Sequence, residues 1–397
     1  MNRKRVICGI MAAVMLMPAY STSAAVKSQI SSDVSGERRV IGSTSTGASY
    51  EELTEKKDLT IDQAVTDAIA FSRDLKNLED SIDVAEDNEV SVRDNWQNAG
   101  VEDAMGNVAV SDDYSTVHSL SVSLREIAIA LSTYSANQEI AKQKIEYNIR
   151  SLFYNIHNAE KSLVLYDEQI DIKARQLKIY EVMLNLGKLS QVEYNDYKKD
   201  YDKTVSDKAS IETQITSAYR SLNQLMGKAI NQEYNLIVDD ITFTNMEEVS
   251  LEHEINKALT SNQTVKSAED TMNLNKYSLD TFVYSASRNS ERSTIKTAYE
   301  QSTRTYEDTK TNLRVQMSSL YDEIMEAERT YKDNQAELAT MEEQLKVKET
   351  QYSLGKITEL ELDAYKLSID SLKTEMEASA YTHDLSVRKF QNSDLIM

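Results

Sequence analysis

The chain has 397 residues, of which 40% are apolar, with a formal net charge of -21. That much apolar content can build a folded core, while so acidic a surface repels nucleic acid and anionic lipid. A single proline (Pro18), 9 glycines and one cysteine (Cys8) leave a mature chain biased towards long unbroken helices and without disulfide, thiol or thiolate-metal chemistry.

Residues 1–25, MNRKRVICGIMAAVMLMPAYSTSAA, place three basic residues before a short apolar run and small residues after it. This is the pattern of a secretory signal peptide, with cleavage after Ala24 or Ala25; a retained signal anchor is the alternative. Removing these residues takes away three positive charges and no acids, so the net charge falls from -21 to -24. Residues 26–57, rich in Ser, Thr, Gly and charge, read as a flexible tether.

From Leu59 the pattern is helical. Ile61, Val65, Ala68 and Ile69 fall on one face, and Thr60 with Gln63 three residues on fits a capping box. An outgoing helix is expected over about 60–96, an irregular insertion near 97–121, and a returning helix over 124–186 of about 95 Å if unbroken. Within it, Ile145, Ile149, Leu152, Ile156, Ala159, Leu163, Tyr166 and Ile170 step by 4 and 3, a heptad seam that demands a partner helix. Leu165, Ile172, Ile179 and Leu186 form a second seam, which suggests neighbours on both sides; one broad core face is the alternative. A further helix is expected over 190–226, then a linker from 227 in which 234–243 could supply a short strand.

The remainder repeats this plan. Shifted by 190, Ile61, Val65, Ala68 and Ile69 fall on Leu251, Ile255, Ala258 and Leu259. Further along the shift is 168: SLFYNIHNAE at 151–160 falls on SLYDEIMEAE at 319–328, and LNLGKLSQVEYNDYK at 184–198 on YSLGKITELELDAYK at 352–366. The chain is a tandem duplication, 58–245 and 246–397, whose first copy holds 22 extra residues. Gly187 and Gly355 stand where a helix stops in left-handed geometry. Ser190 with Glu193, and Thr358 with Glu361, form capping boxes for the next helix. The expected fold is all-α, duplicated long hairpins with coiled-coil packing and little or no β.

The N-terminal block LTIDQAVTDAIAFSRDLKNLEDSIDVAEDN, the duplicated helical body and the two GK hairpins resemble the TolC-like outer-membrane efflux family over about 59–392. The resemblance implies a homotrimer whose helices form a hollow barrel, docked to a membrane-fusion adaptor and to an inner-membrane ABC or proton-driven pump. It places Gly187, Lys188 and Leu189, with Gly355, Lys356 and Ile357, at adaptor-docking hairpin tips. It also places Glu361, with Asp363 nearby, among acids at the tube entrance; a solvated helix face explains the same two acids. The family's β-strands between outgoing and returning helices have no room in the second copy and little in the first, so no conventional transmembrane barrel is expected. The four histidines, His118, His157, His253 and His383, lack metal-ligand spacing, and no catalytic constellation or cofactor motif is present. Two functions remain: an exported exit-duct component of an efflux or secretion assembly, and a non-transporting extracytoplasmic coiled-coil scaffold.

Overall fold

In a computed structural model, residues 56–98, 112–284 and 288–396 are described, apart from 239, 240, 242, 244 and 247. The expected signal peptide, nearly all of the tether and residues 99–111 of the expected insertion lie outside the described residues.

A short strand β1 (Lys57–Thr60) leads into α1 (Ile61–Phe71), α2 (Arg73–Asn98), α3 (Asp112–Asn185) and α4 (Gln191–Met226). Strand β2 (Tyr234–Ile237) follows, then α5 (Leu251–Ser261), α6 (Gln263–Asp280), α7 (Asn289–Ser353), α8 (Glu359–Gln391) and a closing 3-10 turn at Ser393–Leu395. The fold is all-α apart from β1 and β2, which pair in parallel with Leu59 opposite Leu236. This small sheet ties the start of the first repeat to the segment that follows it. The short strand expected within 234–243 is therefore present as four residues.

Each outgoing helix is broken where the sequence suggested continuity. Ser72 ends α1 and its Oγ accepts from the Leu75 N–H at 3.3 Å. Asn262, which aligns with Ser72 under the shift of 190, ends α5, and its Oδ1 accepts from the Val265 N–H at 3.1 Å. In both copies a short polar side chain accepts from an otherwise orphaned N–H and caps the restarted helix.

The long helices exceed expectation at one end. Helix α3 has 74 residues and α7 has 65, or about 110 and 98 Å at 1.5 Å per residue. Helix also enters both ends of the stretch read as irregular, 97–121, because α2 runs to Asn98 and α3 starts at Asp112. The Ser/Thr/Val-rich run there has strand-like composition, but packing overrides it. Tyr277 of α6 donates to Ser121 at 3.3 Å, and Thr281 lies 3.2 Å from His118 Nδ1.

Helices α4, α3, α8 and α7 lie side by side in that order; nearer the other end the order is α2, α3, α6, α7. Helix α3 therefore has neighbours on two sides, as its two seams require. Ile149 and Ile156 of the first seam, and Phe153 beside them, are fully buried. They pack with Ala64, Tyr219 and Leu222 in one core; Leu313, Met317, Ile324 and Phe390 centre the second, in the other repeat.

The seam between repeats, α3 against α8, has a different character. It is a polar ladder: Arg175 pairs with Asp363 at 2.8 Å, Lys161 with Glu377, Tyr154 with Asp384 at 2.9 Å, and Gln143 with Asn392 at 2.7 Å. From 175 to 161 to 154, and from 363 to 377 to 384, both helices step by 14 and then 7, which is heptad register. The rung left between falls on Glu168 and Asp370, two exposed acids.

Candidate hairpin-tip docking site

The two GK turns follow from their residues almost atom by atom. At the end of α3, Gly187 takes φ +67°, its N–H donates to Leu184 O at 2.9 Å, and the Lys188 N–H donates to Met183 O at 2.8 Å. At the end of α7, Gly355 takes φ +66°, its N–H donates to Tyr352 O at 2.8 Å, and the Lys356 N–H donates to Gln351 O at 2.8 Å. Both are Schellman stops, in which a left-handed glycine lets two N–H groups fold back onto orphaned carbonyls.

Both restarts are complete capping boxes. Ser190 Oγ accepts from the Glu193 N–H at 3.2 Å, and Glu193 Oε2 accepts from the Ser190 N–H at 2.9 Å. Thr358 and Glu361 repeat the arrangement at 3.2 and 2.8 Å. The cap backbone N–H donated to each carboxylate, and then the cap hydroxyl, hold the acids of Glu193 and Glu361 below the ordinary carboxyl range.

The two turns lie at the same end of the helix array. Arg175, twelve residues before Gly187, bonds Asp363, eight residues after Gly355. Gly187, Lys188, Gly355 and Lys356 are exposed, while Leu189 and Ile357 are partly covered. Beside them Leu186 and Leu354 are each 64% exposed and Val192 is 71% exposed. The sequence comparison singled out the glycine turns but not these neighbours. For Leu186 the signal was the second seam of α3, whose last members, Ile179 and Leu186, emerge from cover near the tip. The end thus presents two rigid turns, each with a lysine and uncovered aliphatic side chains.

The two candidate entrance acids are not equivalent. The Glu361 carboxylate is engaged by its own helix cap, and Asp363 is held by Arg175, which also reaches Asp171 at 3.0 Å. Neither is an unpartnered carboxylate facing solvent. No group of three metal-ligating side chains occurs among the described residues, and no described helix is long and apolar enough to cross a membrane.

No protein-family model matches the sequence, and a search of curated proteins gives no significant match. Solved structures do match. The CmeC outer membrane channel of Campylobacter jejuni superposes with a TM-score of 0.61 at 10% identity, over 91% of this chain and 94% of that one. CusC, described in the context of transmembrane channel formation, gives 0.61 at 12% identity over 84% and 91%. The outer membrane protein VceC of Vibrio cholerae gives 0.58 at 11% identity over 83% and 95%. The chain has the TolC-like fold that its duplicated hairpins led one to expect.

Proposed function

We propose that this chain is an exported, TolC-like exit-duct component of an efflux or secretion assembly, a homotrimer without catalytic activity that works in the cell envelope. The observation that carries the reading is the pair of matched turns at one end of the array, built alike in both repeats and surrounded by uncovered Leu186, Val192 and Leu354. A spacer needs no such pair, whereas a duct that docks end-on to a partner needs its tips shaped alike. Trimerisation fits the open layer, in which α4 and α7 each keep a lateral edge that a second copy would cover. The partners are a membrane-fusion adaptor, through Gly187, Lys188, Leu189, Gly355, Lys356 and Ile357, and beyond it an inner-membrane ABC or proton-driven pump. Short-range cross-linking from Lys188 and Lys356 in the native envelope tests this. Adducts with one adaptor-like partner, lost when either turn is disrupted, are expected; a chain that stays monomeric at high concentration and captures no partner refutes it.

One observation favours the alternative, a non-transporting extracytoplasmic scaffold. Only eight residues separate Asp280 of α6 from Asn289 of α7, and 13 separate Asn98 of α2 from Asp112 of α3. Two membrane strands of about 9–11 residues each do not fit in either connection. The duct reading therefore carries a corollary: the protein works without a conventional transmembrane barrel. Purified protein that conducts ions across a planar bilayer without partners would overturn that corollary.

A further inference from the structure

We propose that α7 of one copy packs against α4 of the next in the register of the seam between repeats, so that the contact between copies reproduces the α3–α8 contact rung for rung. The proposal rests on the reading of the chain as a homotrimer and adds the residues, height and rotation of its interface. Helix α7 is the counterpart of α3, and α4 that of α8, each displaced by 168 residues. Within the chain α3 meets α8, while α7 and α4 stand at opposite edges of the layer. A second copy brings to each edge the helix that its counterpart already has. Such a contact uses a different patch on each copy, and a patch pair of that kind closes as a ring.

The same shift maps three rungs of the inner seam onto the edges. Arg175 and Asp363 become Glu343 and Asn195, Lys161 and Glu377 become Arg329 and Ala209, and Tyr154 and Asp384 become Asp322 and Thr216. The six residues of the inner rungs are partly or fully covered, whereas their six counterparts on the edges are all exposed. The edges thus leave uncovered the very helix faces that pack inside the chain. This fixes the rotation of each helix as well as its height.

The charges on the two edges are complementary in this register. One turn on from Asn195, Lys199 comes opposite Glu343; one turn on from Thr216, Arg220 comes opposite Asp322; and Glu212, three residues beyond Ala209, lies beside Arg329. Along α7 the edge reads acid, cation, acid at 322, 329 and 343, and at the matching heights α4 reads cation, acid, cation at 220, 212 and 199. Asp322, Glu343, Lys199 and Arg220 form no ion pair among the described residues, so all four are available to a second copy. Sliding α4 by one heptad would instead set Asp202 against Glu343, two acids, which disfavours the neighbouring register.

Disulfide trapping reads this directly, because Cys8 is the only cysteine and residues 26–397 contain none. Within one chain α4 and α7 are three helix spacings apart, about 25–30 Å, and a disulfide needs Cα atoms within about 7 Å, so any bridge joins two copies. The full mature chain carrying Asn195→Cys and Glu343→Cys is expected to oxidise to a covalent trimer, and so is the second in-register pair, Ala209→Cys with Arg329→Cys. The pair Asp202→Cys with Glu343→Cys, displaced by about 10 Å along the helix, is expected to stay uncross-linked. Independently, Glu343→Lys is expected to weaken association about two- to tenfold, and adding Lys199→Glu to restore it. A trimer by light scattering whose in-register pairs do not cross-link, or whose displaced pair cross-links equally, overturns the register and leaves the trimer standing. A trimer in which Lys199→Glu does not rescue Glu343→Lys overturns it likewise. A chain that stays monomeric at high concentration overturns both.

Discussion

The two hairpin tips share a backbone and differ in the side chains just behind it. The stop, the lysine and the capping box are matched, with φ of +67° and +66° at Gly187 and Gly355. Behind the first turn, Tyr180 and Tyr197 stack with ring centroids 3.8 Å apart. Behind the second, the aligned residues are Lys348 and Tyr365: the ammonium lies 5.0 Å from the ring centroid, and the Tyr365 hydroxyl donates to Met341 O at 3.2 Å. What stayed the same is what only a few residues can encode, a left-handed glycine and a hydroxyl–carboxylate cap. What diverged is lateral support, which several side-chain pairs can provide.

A third GK pair sets the scale for breaking this comparison. Gly227, with Lys228 behind it, also takes φ +67° and ends α4, but an added Cβ there would overlap the ring of Phe71. Gly227→Ala combines left-handed strain with overpacking and is expected to cost about 2–4 kcal/mol in denaturant unfolding. Gly187→Ala and Gly355→Ala meet nothing within 4 Å, so each is expected to cost only the backbone strain, about 1–2 kcal/mol, and equally. Unequal losses would show that the tips are not held alike.

Removing a cap is a smaller perturbation. Ser190→Ala and Thr358→Ala are each expected to cost about 1 kcal/mol. The cap acids then predict a shared pH response. Glu193 and Glu361 titrate below their ordinary range when folded, through the N–H groups of the caps. Their contribution is therefore present above the unfolded carboxyl value of about 4.3 and is lost as pH falls through the folded value. Amides of the first turns of α4 and α8 should lose protection together on acidification, and Glu193→Gln or Glu361→Gln should remove the response at its own tip only.

Lateral support should respond differently at each tip. Tyr197→Leu removes an aromatic pair and is expected to cost about 0.5–1.5 kcal/mol beyond area burial. Lys348→Met removes a cation–ring contact at a half-buried site and is expected to cost about 0.5–1 kcal/mol. The smallest effect belongs to the seam between repeats. Glu168→Lys places a cation opposite Asp370 at the one like-charged rung and is expected to gain about 0.2–1 kcal/mol, decreasing with salt. No gain at low salt would mean that the heptad register does not bring those two side chains together.

The tips were legible in the sequence because their coding is local. A glycine, a hydroxyl three residues on and an acid three further specify stop and restart wherever they stand, and duplication printed the signal twice. The seams of α3 were legible because heptad spacing fixes which residues share a face. The breaks at Ser72 and Asn262 were harder to see, since a polar residue inside an apolar period reads as an exposed helix position until its side chain is found bonded to the next turn. The helical start of α3, through a Ser/Thr/Val-rich run, depended on contacts with Tyr277 and Thr281 about 160 residues away.

The sequence by itself therefore determined the all-α class, the duplication, the helix reversals and the faces that pack, because each depends on residues within a few turns of one another. Only the tertiary structure decided which helices are neighbours, that the seam between repeats is polar, and that both acids near the second tip are already partnered. It also decided that the Glu328 carboxylate and the His383 imidazole, 55 residues apart, meet in a buried contact. Those outcomes depend on which surfaces are brought into contact, and a local pattern carries no information about its distant partner.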